Sequence, residues 1–231
     1  MAYGVQLIQL VAQVKAESGL SSRVSVGVDR EDEIKQMIRR TQAEFYLEYD
    51  WPHMRVTPSK TLAAGQRYYD MPATLNFDRI TDVRCVYSGT PNGIDRGISL
   101  DDYAAYDSDS DERADPVLKW DLAWTGSATQ IEVWPIPSSN DMKLLFEGIR
   151  PLRNLTANED LADLDDTMLT LSVAAEILAR QKSRDAQLKA QRLSGRLTKV
   201  KSSLRGAEGT IAMGQGAQTA AQRKPSVIRV S

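Results

Sequence analysis

Residues 129–149 read TQIEVWPIPSSNDMKLLFEGI, and this stretch decides the fold expected for the middle of the chain. Polar and apolar side chains alternate in residues 129–134, which predicts a strand with one buried face and one solvated face. The Ser-Ser-Asn-Asp segment at 138–141 predicts a hairpin turn into a second strand at residues 142–149. We therefore expect an antiparallel sheet in this part of the protein.

Short β-rich runs extend this pattern from Arg55 to about Arg150. Clusters of Gly, Pro, Asn and Asp, which favour turns, separate them. The runs are RVTPSKTL, RYYDM, RITDVRCVY, VLKWDLAW, TQIEVWPI and MKLLFEGI. We expect a sheet or small sandwich of about five to seven strands, with a short helix from Leu100 to Tyr106.

Helical periodicity precedes the sheet. A first apolar stripe predicts a helix that stops near Gly19, and a second predicts a helix that Asp29 caps and that ends near Tyr49. The first stripe consists of Leu7, Leu10, Val11 and Val14, and the second of Ile34, Met37, Ile38, Thr41 and Phe45. Both stripes have the spacing of a single helix face.

Helical periodicity returns after Asp163 and is interrupted at residues 182–185. Its steps of four and three residues predict a narrow seam that faces a partner helix. The stripes are Leu164, Met168, Leu171, Ala175 and Leu178, and then Leu193, Leu197, Val200 and Leu204. The sequence thus predicts two further helices.

Together these patterns predict an α+β fold, in which a four-helix bundle is built from both chain ends. We expect the bundle to comprise residues 1–52 and 160–205. An antiparallel β-sheet or sandwich module is inserted at residues 53–159, and an extended C-terminal tail follows at 206–231.

The composition excludes several classes of protein. The chain has 231 residues, 42% of them hydrophobic, and its apolar runs are far shorter than the roughly 20 residues that span a bilayer. We therefore expect no membrane segment. Cys85 is the single cysteine, which excludes an internal disulfide and multi-cysteine metal sites and is typical of assembly in a reducing cytoplasm.

The net charge of −2 hides a strong separation of charge along the sequence. From Arg180 onward there are twelve Lys or Arg residues and two acidic residues, whereas the rest of the chain is strongly acidic. A basic helix of this kind favours contact with an acidic subunit surface or with nucleic acid, although a solvated helix face is an equal alternative. The candidate contact residues are Arg184, Lys189, Arg192, Arg196, Lys199 and Lys201.

We identify no catalytic or cofactor-binding residues in the sequence. His53 is the only histidine and is interpreted as structural, and Cys85 as a small buried hydrophobic residue. Asp107, Asp109 and Asp111 alternate like calcium-loop ligands, but Glu112 and Leu118 stand where that loop needs Gly and Glu, so we predict no metal site.

The acidic segment is therefore interpreted as a docking loop for a basic neighbour. A metal-dependent hydrolase that uses the same three carboxylates is the least favoured alternative function.

The tail from Gly206 to Ser231 is rich in Gly, Ala and Gln. It offers too little apolar surface to offset the entropy lost on ordering. We expect a neighbouring molecule to hold it, and the alternative is a helical tail that rests on its own subunit.

Three segments resemble a known family. They are Asp50–Met54, which closes the second helix around Trp51, the Gly65–Pro72 segment GQRYYDMP, which opens the sheet, and Leu161–Arg180, an acidic start to an Ala- and Leu-rich helix. In this order they resemble the head-to-tail adaptor proteins of tailed bacteriophages, including the tail tubular A-type and packaged-DNA-stabilisation proteins.

The resemblance implies a structural virion protein at the head–tail junction. It implies a homo-oligomeric ring, usually of twelve copies, that joins the portal protein to a tail tube or nozzle protein and helps to retain and pass packaged DNA. The expected portal-binding residues are Arg223, Lys224, Val227, Ile228, Arg229 and Val230 of the tail. The alternative function is a non-specific DNA-binding accessory protein that uses the basic helix.

Overall fold

Four long helices share one hydrophobic core in the computed structural model, which describes residues 3–20, 28–106 and 111–204. The four long helices are α1 (Leu7–Glu17), α2 (Val28–Glu48), α4 (Asp166–Arg180) and α5 (Asp185–Leu204), and α3 (Leu100–Ala105) is a short helix between the second and third of them. All but α3 contribute to this core, and the predicted stripe residues Leu10, Ile38, Met168 and Val200 are buried in it. The predicted helices therefore exist close to their expected bounds, although α2 begins one residue before Asp29.

Ion pairs fix the directions of the helices. Arg180 at the end of α4 pairs with Glu33 near the start of α2 at 2.7 Å, so these helices are antiparallel. Lys201 near the end of α5 pairs with Glu48 at the end of α2, also at 2.7 Å. α2 and α5 therefore run in the same direction, and α4 packs against both in the opposite one.

The start of the chain lies along the segment that leads into α4. The backbone N–H of Gly4 donates to the carbonyl of Ala162 at 2.9 Å, and that of Leu7 donates to the carbonyl of Asp160 at 2.9 Å. Gln6 and Leu161 form an isolated antiparallel bridge between these hydrogen bonds. Backbone pairing therefore connects the segment before α1 to the segment before α4.

The described residues between α2 and α4 contain nine strands in two sheets. They are β1 (Arg55–Val56), β2 (Ser59–Thr61), β3 (Tyr68–Asp70), β4 (Ile80–Tyr87), β5 (Thr90–Gly93), β6 (Asp95–Arg96), β7 (Lys119–Trp124), β8 (Thr129–Trp134) and β9 (Met142–Ile149). One sheet has the order β1-β9-β4-β5, with β2 also on β9, and the other has the order β3-β8-β7-β6. The β6–β7 pair is parallel, which the prediction of a purely antiparallel sheet missed.

Both sheets contribute to a second hydrophobic core. Cys85 and Phe146 come from the first sheet, and Ile131 and Val133 from the second. Cys85 is fully buried, which confirms its interpretation as a small hydrophobic residue, and burial raises the pKa of its thiol. The α+β class predicted from the sequence is confirmed.

The predicted β8–β9 hairpin is wrong. β8 pairs with β3 and β7, whereas β9 belongs to the other sheet, so residues 138–141 cross between sheets. Both edges of β8 are occupied, and Pro135 and Pro137 have no N–H with which to continue a ladder.

The solvated face predicted for β8 is also wrong. Glu132 and Trp134 lie on that face, and they are only 7% and 2% exposed. Two side chains cover them: Arg67 pairs with Glu132, and the ring of Tyr103, in α3, packs on that of Trp134.

Candidate functional site

Helix α5 is the element that the sequence singles out for contact with other molecules, and its two faces have different environments. Leu193, Leu197 and Val200 face the helical core, as their spacing predicts. Asp185 lies in the first turn and Lys201 in the last, where their charges oppose those of the helix dipole. The predicted break before α5 is confirmed, since α4 ends at Arg180 and Lys182 has a positive φ of 56°.

Three of the six candidate basic residues bind the helical region of their own chain. Arg196 pairs with Asp165 at 2.9 Å, Lys189 pairs with Glu17 of α1, and Lys201 pairs with Glu48 of α2. The structure therefore places these three residues in contacts that hold α5 on its neighbours.

Asp165 is the most constrained of these partners because its side chain is 0% exposed. It caps α4 by accepting a hydrogen bond from the N–H of Met168 at 3.0 Å, and it also receives the guanidinium of Arg196. This hydrogen bond raises the pKa of Arg196. The spacing of Asp165 to Met168 indicates an N-cap, but nothing in the sequence indicates its pairing with Arg196.

Of the other three candidates, Arg192 and Lys199 lie on the opposite side of α5, and Arg184 lies in the turn directly before its first residue, Asp185. They are exposed and form no ion pair with any residue that the structure describes. Leu188, 46% exposed, and Gly195 share this face. We define these five residues as the basic stripe.

Gly195 lies in the middle of the stripe and costs about 1 kcal/mol of helix stability relative to Ala. A Cβ placed there would meet no atom within 4 Å, so nothing within the described chain requires the absence of a side chain.

The junction between the helices and the sheets is built around Trp51 and Asp163. Trp51 is 1% exposed and donates its indole N–H to the carbonyl of Phe45 at 2.9 Å. Asp163 is 3% exposed and receives the guanidinium of Arg150. His53 bonds the carbonyl of Asp163 through Nε2 at 2.9 Å, so its described contacts are structural. No local pattern in the sequence indicates the role of Asp163, since His53 reaches it from 110 residues away.

The acidic stretch before residue 116 is bound to its own module where the structure describes it. Asp111 pairs with Arg113 at 2.7 Å, and Asp115 accepts a hydrogen bond from the N–H of Ser138 at 2.9 Å. Asp102 of α3 pairs with Lys119 at 2.7 Å, and this hydrogen bond, with those from Ser99, lowers the pKa of Asp102 to about 2. Among the described residues no His, Cys, Asp and Glu cluster has the form of a metal site.

Two sets of predicted site residues lie outside the described residues. Asp107 and Asp109 of the acidic loop are in the first set. The second set is the proposed portal-binding group, which consists of Arg223, Lys224, Val227, Ile228, Arg229 and Val230.

The helices, both sheets and the junction all fall within residues 5–219, and over that range the chain matches the family model described as SU10 adaptor protein. The chain belongs to this family. It is a family of phage head-to-tail adaptors, which are structural proteins of the virion head–tail junction and not enzymes. A comparison with curated proteins found no match.

The segments that carried the resemblance have defined structural roles in the adaptor. Gly65 has a φ of +77°, which favours glycine, and it makes the turn before β3. Tyr69 in β3 is 2% exposed, and its hydroxyl accepts a hydrogen bond from the N–H of Ala63 at 2.9 Å. Burial raises the pKa of Tyr69. No helix among the described residues of the adaptor is long and apolar enough to cross a membrane.

Proposed function

We propose that this adaptor assembles as a ring, of about twelve copies by analogy with similar adaptors, that joins the portal to the tail. The ring leaves a channel through which packaged DNA passes and helps to retain that DNA before ejection. The observation that carries the proposal is the family match over residues 5–219, which includes every described helix and strand. The proposed partners are the portal protein, a tail tube or nozzle protein, and DNA in the channel.

The proposed organisation is a four-helix bundle of residues 1–52 and 160–205, an inserted β-sandwich module of residues 53–159, and a tail of residues 206–231. Two hydrophobic cores support the first two units, and Met54, Ile149 and Leu155 of the inserted segment pack in the helical core. The pairing of the chain start with the segment before α4 supports a bundle drawn from both ends of the sequence.

The tail is the proposed portal anchor. Its end combines three basic residues, Arg223, Lys224 and Arg229, with an apolar group formed by Val227, Ile228 and Val230. Such a segment can add a strand to a sheet edge or fill pockets while its charges meet acidic groups. Binding to the portal would compensate for the entropy lost when the segment becomes ordered.

The alternative function, non-specific DNA binding through α5, has less charge available than the sequence suggested. Lys189, Arg196 and Lys201 are engaged with carboxylates of their own chain. Arg184, Arg192 and Lys199 remain for phosphates, and a small number of phosphate contacts gives weak, salt-sensitive binding.

Deletion of residues 221–231 tests the proposal. We expect the truncated chain to keep the thermal unfolding midpoint of the wild type, because the described cores contain none of these residues, and to lose attachment to purified portal rings. Replacement of the same residues by a Gly/Ser segment of equal length is the matched control for chain length. Normal attachment of the truncated chain would overturn the anchor. Tight, salt-dependent binding to free duplex DNA without binding to portals would favour the alternative.

A further inference from the structure

From the two faces of the helical region, we infer that adjacent copies of the adaptor contact each other through α5 of one copy and α2 of the next. The basic stripe of α5 packs on an acidic stripe of α2, which we define as Asp32, Gln36, Ala43, Glu44 and Leu47. Arg40 is also exposed on this side of α2, and it is paired with Glu176 of α4. The inference rests on the proposed ring, and it names the surfaces that close it.

The two stripes are different surfaces of the same chain. Helix α4 packs against both α2 and α5, and the stripes lie on the exposed sides of those two helices. A ring whose subunits are related by rotation needs such a pair of different surfaces, one on each side of every contact.

The acidic stripe has two exposed carboxylates that a neighbour can reach. The side chains of Asp32 and Glu44 are 68% and 64% exposed. Each pairs only with a cation of its own helix, Lys35 at 3.6 Å and Arg40 at 3.5 Å. Exposed pairs of this kind stabilise a chain very little, so exchanging them for contacts with another copy loses little.

Apolar groups in both stripes favour a protein partner over DNA. Leu47 of α2 is 74% exposed and Leu188 of α5 is 46% exposed. Ala43 is also exposed, and Gly195 leaves bare backbone in the middle of the basic stripe. DNA phosphates gain nothing from contact with apolar groups. A packed helix, by contrast, buries leucine side chains and approaches most closely where the facing side chains are small.

Helix length and direction set the register of the contact. α2 has 21 residues and α5 has 20, and they run in the same direction in one copy. Rotation between neighbours in a ring of twelve is about 30°, so the helices remain nearly parallel across the contact. We take α2 and α5 to lie along the ring axis in the proposed assembly. The Lys201–Glu48 pair then marks equal height on both helices, which places Lys199 near Glu44 and Arg184 near Asp32 across the contact.

Charge reversal tests this register. We expect K199E and E44K each to reduce assembly into rings on portals at least about tenfold, because each places like charges face to face. The double variant K199E/E44K should recover to within about threefold of the wild type, since it restores an opposite pair. The readout is the number of adaptor copies per portal, measured by native mass spectrometry, with the thermal midpoint of each free chain as a check on folding.

Matched controls use exposed residues of the same type in other places. Lys143 lies on β9 and Glu159 precedes α4, and both are exposed. K143E and E159K should leave assembly unchanged. A second measurement uses K199C/E44C, which should form a ladder of cross-linked oligomers under oxidation on portals, whereas K143C/E44C should not.

Each result separates this contact from the proposed function. If the wild type assembles on portals and neither single reversal reduces assembly, the contact is overturned and the adaptor function stands. If D111K rescues K199E and E44K does not, the acidic loop is the partner and the α2 contact is overturned. If K199E reduces binding to free duplex DNA and leaves ring assembly intact, the stripe binds DNA and the contact is overturned. If the wild type fails to bind portals, the proposed function falls and the contact falls with it.

Discussion

Helices α5 and α3 are both held by a pair between a cation and an aspartate, but the rest of their attachment differs. α5 buries an apolar face in the helical core, and its Arg196 reaches the fully buried Asp165. α3 has no buried residue, and Leu100 within it is 85% exposed. It is held on the second sheet by Asp102 and Tyr103.

The contacts of α3 are almost entirely polar or aromatic. Asp102 pairs with Lys119, and its backbone carbonyl accepts the indole N–H of Trp134 at 2.8 Å. The ring of Tyr103 packs edge-on against that of Trp134, and its hydroxyl donates to Glu132 at 2.8 Å. α5 is therefore part of the hydrophobic core, whereas α3 is attached locally, through an ion pair and contacts of Tyr103 and Trp134.

The largest effect is expected from removal of the arginine that reaches Asp165. R196M leaves a buried carboxylate without its cation, so the free energy of unfolding should fall by about 3 kcal/mol. The value is at the lower end for such pairs because the arginine side chain is 24% exposed. Urea denaturation measures it.

R192M is the matched control, since Arg192 lies about one turn earlier on the exposed face. Its effect should stay within about 0.5 kcal/mol. Adding D165N to R196M should recover part of the loss, because asparagine keeps the helix cap and removes the charge. Equal losses in R196M and R192M would contradict the distinction between the two faces of α5.

A smaller effect of opposite sign is expected for G195A. Alanine at this helical position should raise the free energy of unfolding by about 1 kcal/mol, because its Cβ meets open space. Differential scanning calorimetry measures the gain. G19A is the contrast, because Gly19 also has open space around it but a φ of +66°, so alanine there should destabilise the chain. A loss of stability in G195A would contradict the open space described around Gly195.

The smallest effect on the stability of the whole molecule is expected when a fall in pH protonates Asp102 of α3. The pKa of Asp102 is about 2 in the folded protein, below the value of about 3.9 for an unfolded chain. The attachment is therefore fully present above about pH 4 and is lost as the pH falls toward 2. The indole N–H resonance of Trp134 should report this release in NMR spectra.

K119M provides the control for this titration. It removes the largest cause of the lowered pKa, so the release should move to higher pH. An unchanged midpoint in K119M would contradict the role given to the Lys119–Asp102 pair.

Much of the secondary structure could be predicted because its signals are local. The stripe from Leu193 to Val200 has the spacing of one helix face, and it lies in the core. The runs at β4 and β9 were predicted within about one residue of their bounds, and the run at β8 extended two residues beyond Trp134. β5 and β6 were missed, since the TPNG and Asp-Arg segments are short and carry no apolar alternation.

Strand pairing and the cover of β8 could not be predicted in the same way. Polar and apolar side chains alternate in residues 130–133, but this pattern carries no information about Arg67 and α3, which bury Glu132 and Trp134. The role of the junction residue Asp163 could not be predicted either, because Arg150 and His53 reach it from other segments.

Local sequence patterns were enough to predict the long helices, most of the strands, the α+β class and the concentration of positive charge toward the end of the chain, since each depends on neighbours within a few turns or a few residues. Which of those charges are paired depends on the packing of the helices. Arg196 meets Asp165 across 31 residues and Lys189 meets Glu17 across 172, whereas Arg184, Arg192 and Lys199 face outward. Pairing at such separations depends on how the helices pack, and helix periodicity carries no information about a partner so far along the chain.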